Sequence, residues 1–205
     1  MFEYEQKWID AGAEYVCGVD EAGRGPLYGS VYAAAVILKK EDIPEGVNDS
    51  KKLSPKKREM LFEEIKNRAL CYSVAYATAK EIDEINILNA TMLAMTRAVE
   101  GLSVKPQVAL IDGNRAPDLE GIKTEWIIGG DGKSASVAAA SILAKVSRDR
   151  ELLREDEKYP EYLFKNHKGY GTAAHYKAIE QFGVLPDHRK SFLKNIELKP
   201  YKKGE

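Results

Sequence analysis

Three apolar stretches of this 205-residue chain run into acids set among glycines. Val16-Cys17-Gly18-Val19 leads to Asp20-Glu21, just ahead of Ala22-Gly23-Arg24-Gly25. Val108-Ala109-Leu110-Ile111 leads to Asp112-Gly113, and the run ending at Ile128 leads to Gly129-Gly130-Asp131-Gly132. In open α/β sheets the ligand crevice lies outside the carboxyl ends of the strands, so Asp20, Glu21, Asp112 and Asp131 could converge there. Four gathered carboxylates would repel one another and resist ionisation unless a cation compensates. Hard divalent ions such as Mg2+ or Mn2+ favour oxygen donors of this kind. Two such ions about 3.5–4 Å apart are the usual clamp for in-line attack on a phosphodiester. Taken singly, each acid could equally be a solvated turn residue or a helix cap; Asp20 and Asp112 together fit that less well, since both close apolar runs. Successive strand residues face opposite ways, so Glu21 joins Asp20 only if the strand breaks or twists near Ala22-Gly23.

The elements that would hold these acids can be read along the chain. A first strand over residues 15–20 and a second over about 29–38 suggest an antiparallel, hairpin-like pair. Ser54-Pro55 opens a helix, with Ser as cap and Pro at the first position, and Met60, Leu61, Ile65 and Arg68 follow at helical spacing. Residues 70–77 alternate like a strand. Thr78-Ala79-Lys80-Glu81 is a capping box leading into a helical segment with Ile82, Ile85, Leu88, Met92, Met95 and Val99. Short strands are expected at 108–111 and 124–128. Ser134 caps a long Ala-rich helix reaching about Asp156, and a last helix spans about residues 173–182. Five strands mixed with helices imply an α/β fold, a mixed five-stranded sheet flanked by helices. A core over about residues 15–157 would carry a helical C-terminal portion over about 158–205, all within one domain.

Composition excludes other classes. With 44% hydrophobic residues and a formal charge of −1, the chain is neither disordered nor strongly basic. No apolar run approaches the ~18 residues of a membrane span, and the start, Met1-Phe2-Glu3-Tyr4-Glu5-Gln6-Lys7, lacks a secretory pattern. Cys17 and Cys71 have no CxxC partners and read as small buried residues. A soluble, cytoplasmic, membrane-free protein is expected. The near-neutral total conceals polarity: through Gly132 acids outnumber bases 22 to 16, and from Lys133 onward bases outnumber acids 15 to 10.

The blocks carrying these acids resemble type 2 ribonuclease H, the bacterial ribonuclease HII family. Val19-Asp20-Glu21-Ala22-Gly23-Arg24-Gly25-Pro26-Leu27 is similar to its N-terminal signature. Asn48-Asp49-Ser50-Lys51-Lys52-Leu53-Ser54, Ile111-Asp112-Gly113 and Ala138-Ala139-Ala140-Ser141-Ile142-Leu143-Ala144-Lys145-Val146 with Arg148-Asp149-Arg150 follow in the family's order. His167-Lys168-Gly169-Tyr170-Gly171-Thr172 with His175, then Gly183-Val184-Leu185-Pro186 with His188-Arg189, complete it. The matches run from about Tyr15 to Phe192.

This resemblance implies an RNase H-like fold and an endonuclease acting on the RNA strand of RNA/DNA hybrids. It also implies nicking 5′ of a single ribonucleotide embedded in duplex DNA, leaving a 3′-hydroxyl and a 5′-phosphate. The family's metal-binding catalytic acids fall on Asp20, Glu21, Asp112 and Asp131, using two divalent ions, Mn2+ or Mg2+. Asp149, about four turns along the Ala-rich helix, is given a supporting place. Substrate contacts are expected from Gly23 and Gly25, where the backbone could approach a ribose 2′-hydroxyl closely, from Arg24 through charge and positioning, and from Tyr170, which matches the family tyrosine packing beside the ribonucleotide. Lys51, Lys52, Lys168 and Arg189 are candidate phosphate contacts. His167, His175 and His188 lack a zinc pattern and are expected to be structural or phosphate-facing. One departure stands out: where the family commonly has Ala after Pro-Leu, this chain has Tyr28, then Gly29-Ser30-Val31. A monomer is expected, with no clamp-docking peptide or protein partner evident. The alternatives are a ribonuclease HIII-like hybrid nuclease, from which the short segment before the first strand argues away, a non-catalytic hybrid-binding module, and more distantly a DNA resolvase.

Overall fold

The computed structural model describes residues 1–48, 50–194 and 198–202, and of Lys51 the backbone alone. The apolar runs pair into one mixed five-stranded sheet, with strands β1 (Val16–Ala22), β2 (Val31–Ile37), β3 (Cys71–Ala77), β4 (Val108–Asp112) and β5 (Lys123–Ile127). Their order across the sheet is β3-β2-β1-β4-β5. β1 pairs antiparallel with β2, as the short loop between them requires, and parallel with β4, with Val19 opposite Ile111. Asp20 and Asp112 therefore close two neighbouring parallel strands at the same end of the sheet.

Helices cover both faces. Helix α2 (Pro55–Arg68), with Ser54 accepting from the Lys57 N–H, and helix α4 (Ala135–Lys158), capped by Ser134, bury Leu61, Ile65, Ala138, Ala139 and Ile142 against Ala34 and Val36. Helix α3 (Ala79–Glu100), opened by the Thr78–Glu81 capping box, packs Met95, Ala98 and Val99 on the other face against Val19, Ala33 and Ile111. The alanine-rich face of α4 lets it sit almost on the backbone of β1. A Cβ at Gly18 would fall 2.1 Å from the backbone of Ser136 and Val137, so only glycine permits this contact.

Two elements depart from the sequence reading. Residues ahead of Tyr15 form helix α1 (Glu3–Asp10), which a short polar sequence with few apolar positions does not advertise. It is held by tertiary contacts: Glu5, 1% exposed, accepts from the Ser134 hydroxyl (2.6 Å) and the Ser136 N–H (2.8 Å), satisfying donors at the start of α4. Trp8 donates from Nε1 to Glu125 of β5 at 2.5 Å. The second departure is a break in α3 at Asn86, whose φ is 65° and whose Oδ1 accepts from the N–H groups of Leu88 and Asn89. Asparagine tolerates left-handed backbone and re-caps the helix beyond it.

The C-terminal portion contains helix α5 (Phe164–His167) and helix α6 (Ala173–Phe182). These gather Tyr28, Tyr162, Phe164, Ile179 and Leu185 into a separate cluster beside the end of β1. Cys17 and Cys71 are buried and free. Among the described residues no helix is long and apolar enough to cross a membrane.

Candidate active site

The C-terminal end of β1 opens on a cleft of about 320 Å³ lined by Asp20, Glu21, Gly23, Gly25, Lys145 and Tyr170, among others. The strand continues through Glu21 to Ala22, so the two acids do leave opposite faces of the sheet. They nevertheless both line the cleft, where the pairing of β1 with β4 has stopped and β2 alone still flanks β1. Asp20, 4% exposed, lies on the α4 side, beside Ser141. Glu21 also lines an adjoining hollow with Asp112, Arg24, Met92 and Met95.

Electrostatics mark this corner. Burial, then the charges of Glu21 and Asp112, hold the Asp20 carboxyl well above the usual carboxylate range, against the polar influence of Ser141 and the Glu21 N–H, which donates to Oδ1 at 2.7 Å. Burial raises Glu21 as well, opposed chiefly by Arg24, whose guanidinium lies 3.4 Å from Oε1. Asp112 Oδ1 accepts from the Gly130 N–H at 2.7 Å. That bond ties β4 to the tight turn Gly130–Gly132 carrying Asp131, which is buried. Asp131 does not itself line either hollow.

The donor set suits a hard divalent cation: carboxylate oxygens that raise one another's proton affinity gain most from a bound positive charge. Among the described residues, no three His, Cys, Asp or Glu side chains are drawn together closely enough to enclose an ion as they stand. The residues thus fit such an ion by chemistry, as neighbours rather than as a closed cage.

The glycine loop forms the opposite wall. Gly23 has φ +99°, and a Cβ there would meet Nε of buried Arg148 at 2.2 Å. Gly25 faces Tyr170: a Cβ would lie 3.3 Å from its Cε1, so a side chain would press on the ring. Tyr170 is 47% exposed. Arg189 is placed otherwise than as a phosphate contact. It is fully buried, and donates to the carbonyls of Gly23 (2.7 Å), Arg24 (3.0 Å) and Gly29 (2.9 Å). A guanidinium with five donors and no carboxylate is satisfied by backbone carbonyls in this way. In a trans peptide the C=O and N–H point oppositely. With the Gly23 and Arg24 carbonyls turned inward to Arg189, the N–H groups of Arg24 and Gly25 turn away from it.

The other expected residues divide. Lys168 is half-buried in left-handed backbone, and its carbonyl accepts from Arg148 at 3.0 Å. Lys52 is exposed on the loop that brings Ser50 to the cleft, where Ser50 and Ser141 hydroxyls meet at 2.9 Å. The Lys51 side chain and Asp49 lie outside the described residues. Asp149 pairs with Lys145, a residue of the cleft wall, at 2.6 Å. Lys145 itself lines the cleft, as do Ser141 and Arg148. Sequence reasoning gave these three no role, though their spacing of four and three along α4 puts them on one helical face.

Tyr28 does not obstruct the site. It is buried, stacked on Phe164 at 4.2 Å and edge-on to His188 at 4.9 Å, and its hydroxyl donates to Glu155. Its size fills the joint between the glycine loop and the C-terminal portion.

The model of the ribonuclease HII family matches residues 17–195. Ribonuclease HII of Caldicellulosiruptor bescii is 55% identical over 195 residues, 95% of this chain and 94% of that protein. Ribonuclease HII of Shewanella pealeana is 61% identical over 175 residues, 85% and 86% of the two chains. The crystal structure of the ribonuclease H2 from Pyrococcus horikoshii superposes with a TM-score of 0.73 at 31% identity, covering 87% of this chain and 94% of the other. A match of this breadth takes in the strand ends, the glycine loop and Tyr170 alike, and the chain belongs to the ribonuclease HII family, hydrolases of the endoribonuclease class.

Proposed function

We propose that the protein hydrolyses the RNA strand of RNA/DNA hybrids and nicks duplex DNA 5′ of a single embedded ribonucleotide, leaving a 3′-hydroxyl and a 5′-phosphate. The observation that carries this reading is the meeting, in one cleft, of the acidic end of β1 with the backbone of Gly25 facing Tyr170, with Asp112 in the hollow that Glu21 shares. Asp20, Glu21, Asp112 and Asp131 would hold two Mg2+ or Mn2+ ions. When bound, such ions supply an activated water and neutralise charge on the reacting phosphate and leaving oxygen.

The chain's own groups do the rest. The buried carboxylates fix where positive charge can enter. The N–H groups of Arg24 and Gly25 suit a ribose 2′-hydroxyl, which accepts as well as donates. Tyr170 offers a ring edge to the neighbouring sugar, and a deoxyribose there would be accommodated without a polar partner. Lys145, beside Asp20 in the cleft, suits a phosphate oxygen. The helical C-terminal portion enters substrate binding through Tyr170, within a single working domain.

The test uses three labelled duplexes with Mg2+ or Mn2+: DNA with one ribonucleotide, an RNA/DNA hybrid, and all DNA. Cutting the first on the 5′ side of the ribonucleotide and leaving all-DNA intact is expected. Cutting the long hybrid alone would replace this reading with a ribonuclease HIII-like one, and binding without cutting would leave a hybrid-binding module.

A further inference from the structure

The three histidines carry a consequence that follows from their hydrogen bonds alone. The Leu185 N–H donates to His188 Nδ1 (2.8 Å), so that nitrogen is unprotonated and His188 carries its proton on Nε2. His188 Nε2 lies 3.1 Å from His175 Nε2, which must therefore accept, leaving the His175 proton on Nδ1. That N–H points at the Tyr170 carbonyl, 3.0 Å away. His167 is fixed in the same manner: Nδ1 accepts from the Gly169 N–H (3.2 Å), and Nε2–H donates to the Tyr162 carbonyl (2.8 Å). Each ring has one assignable tautomer, and none has a site for a second proton without facing donor to donor.

The surroundings agree. His175 and His188 are enclosed by the rings of Tyr28, Tyr162 and Phe164, with His167 stacked on His175 at 4.6 Å. Burial lowers His175 to about 4 and His188 to about 3. The next residue after His188 is Arg189, which holds the Gly23 and Arg24 carbonyls. The Arg189 N–H also donates to the Leu27 carbonyl (2.8 Å), and the Leu27 N–H donates to the Gly169 carbonyl (2.8 Å).

We infer that residues 185–189 are a common anchor for both walls of the Gly25–Tyr170 slot, one wall through the neutral relay His188–His175–Tyr170 and the other through Arg189. His175, His188 and Arg189 are then positioning residues for ribonucleotide recognition, acting at one remove from the substrate. The inference rests on the reading of Tyr170 and the glycine loop given above.

The test compares His175→Ala, His175→Asn, Arg189→Lys and, as reference, Tyr170→Ala on a lone-ribonucleotide duplex and on a long hybrid. His175→Ala is expected to lower kcat/KM on the lone ribonucleotide about tenfold and on the hybrid less than about threefold, since sub-ångström misplacement is felt most where recognition is tightest. His175→Asn, whose amide N–H can replace Nδ1–H, should restore most of the difference. Arg189→Lys, a point charge for a fork, should lose in the same selective direction. Nitrogen-15 NMR of the unaltered protein supplies a readout independent of any variant's folding. At pH 7 it should show His188 protonated on Nε2 and His175 on Nδ1, both neutral. Opposite tautomers, a charged pair at pH 7, or equal loss on both substrates in His175→Ala would overturn the anchor. Equal losses in Tyr170→Ala would instead overturn the reading of Tyr170, and selective loss there without it in His175→Ala would overturn the anchor alone.

Discussion

The acidic corner and the histidine corner are both buried and both built from titratable side chains, yet they manage charge in opposite ways. At the end of β1, burial, then the charges of Glu21 and Asp112, push Asp20 away from its charged form. In the C-terminal portion, His175 and His188 each have matched partners and no need of charge. A group left unsatisfied by its own protein is available to a ligand, whereas a group fully satisfied is available only to hold geometry. The difference separates the part that would bind cations from the part that shapes the wall opposite.

The largest expected effect breaks the first corner. Asp20→Asn should remove nearly all cleavage, on the order of a thousandfold or more. The metal-free protein should meanwhile be stabilised by roughly 1 kcal/mol, about 2–4 °C in Tm, because a buried like-charge repulsion disappears. Cleavage assays and metal-free thermal melts check both; a lower Tm with activity retained would erase the contrast.

Next comes acid sensitivity of the second corner. Folding lowers the pKa of His175 and His188, so the unfolded chain binds protons the folded one refuses. Their contribution to stability is whole above the unfolded value of about 6.5 and drains away as pH falls toward the folded values, at roughly 1.4 kcal/mol per pH unit for each ring. Urea unfolding between pH 7 and 4 should show this loss, and His188→Gln should flatten it.

A smaller effect is expected at the seam between the corners. Gly23→Ala combines a left-handed φ with a clash into Arg148, costing about 1–3 kcal/mol and loosening the loop; melts and lone-ribonucleotide cleavage should fall together. Smallest is Tyr28→Phe, which keeps the ring on Phe164 and removes the hydroxyl donated to Glu155. A loss of about 1 kcal/mol with unchanged substrate preference is expected, measured by the same assays.

Much of this contrast was legible in the sequence. Strand-terminal acids, the capping box at Thr78 and the Ser134 cap are local signals, and they appear where spacing puts them. The mixed sheet followed from the same punctuation. Helix α1 was not legible, because its stability comes from Glu5 meeting Ser134 and Ser136 some 130 residues away. The break at Asn86 hid within good helical periodicity. Arg189 looked like a surface cation because nothing local announces that three carbonyls from residues 23–29 will enclose it. Lys145 was visible as a residue but not as part of the cleft, since its role depends on which face of α4 the sheet leaves open.

The seat of α1 also equips the molecule with an optical reporter. The chain has two tryptophans, and they sit in different media: Trp8 is pinned to Glu125 with Lys123 over its ring at 4.3 Å, while Trp126 is 54% exposed. Replacing Trp126 by Phe leaves a single indole whose emission senses the contact between α1 and the strand leading into the Asp131 turn. Fluorescence of that one ring would then follow the support of the Asp131 turn in real time, with no label added to the protein.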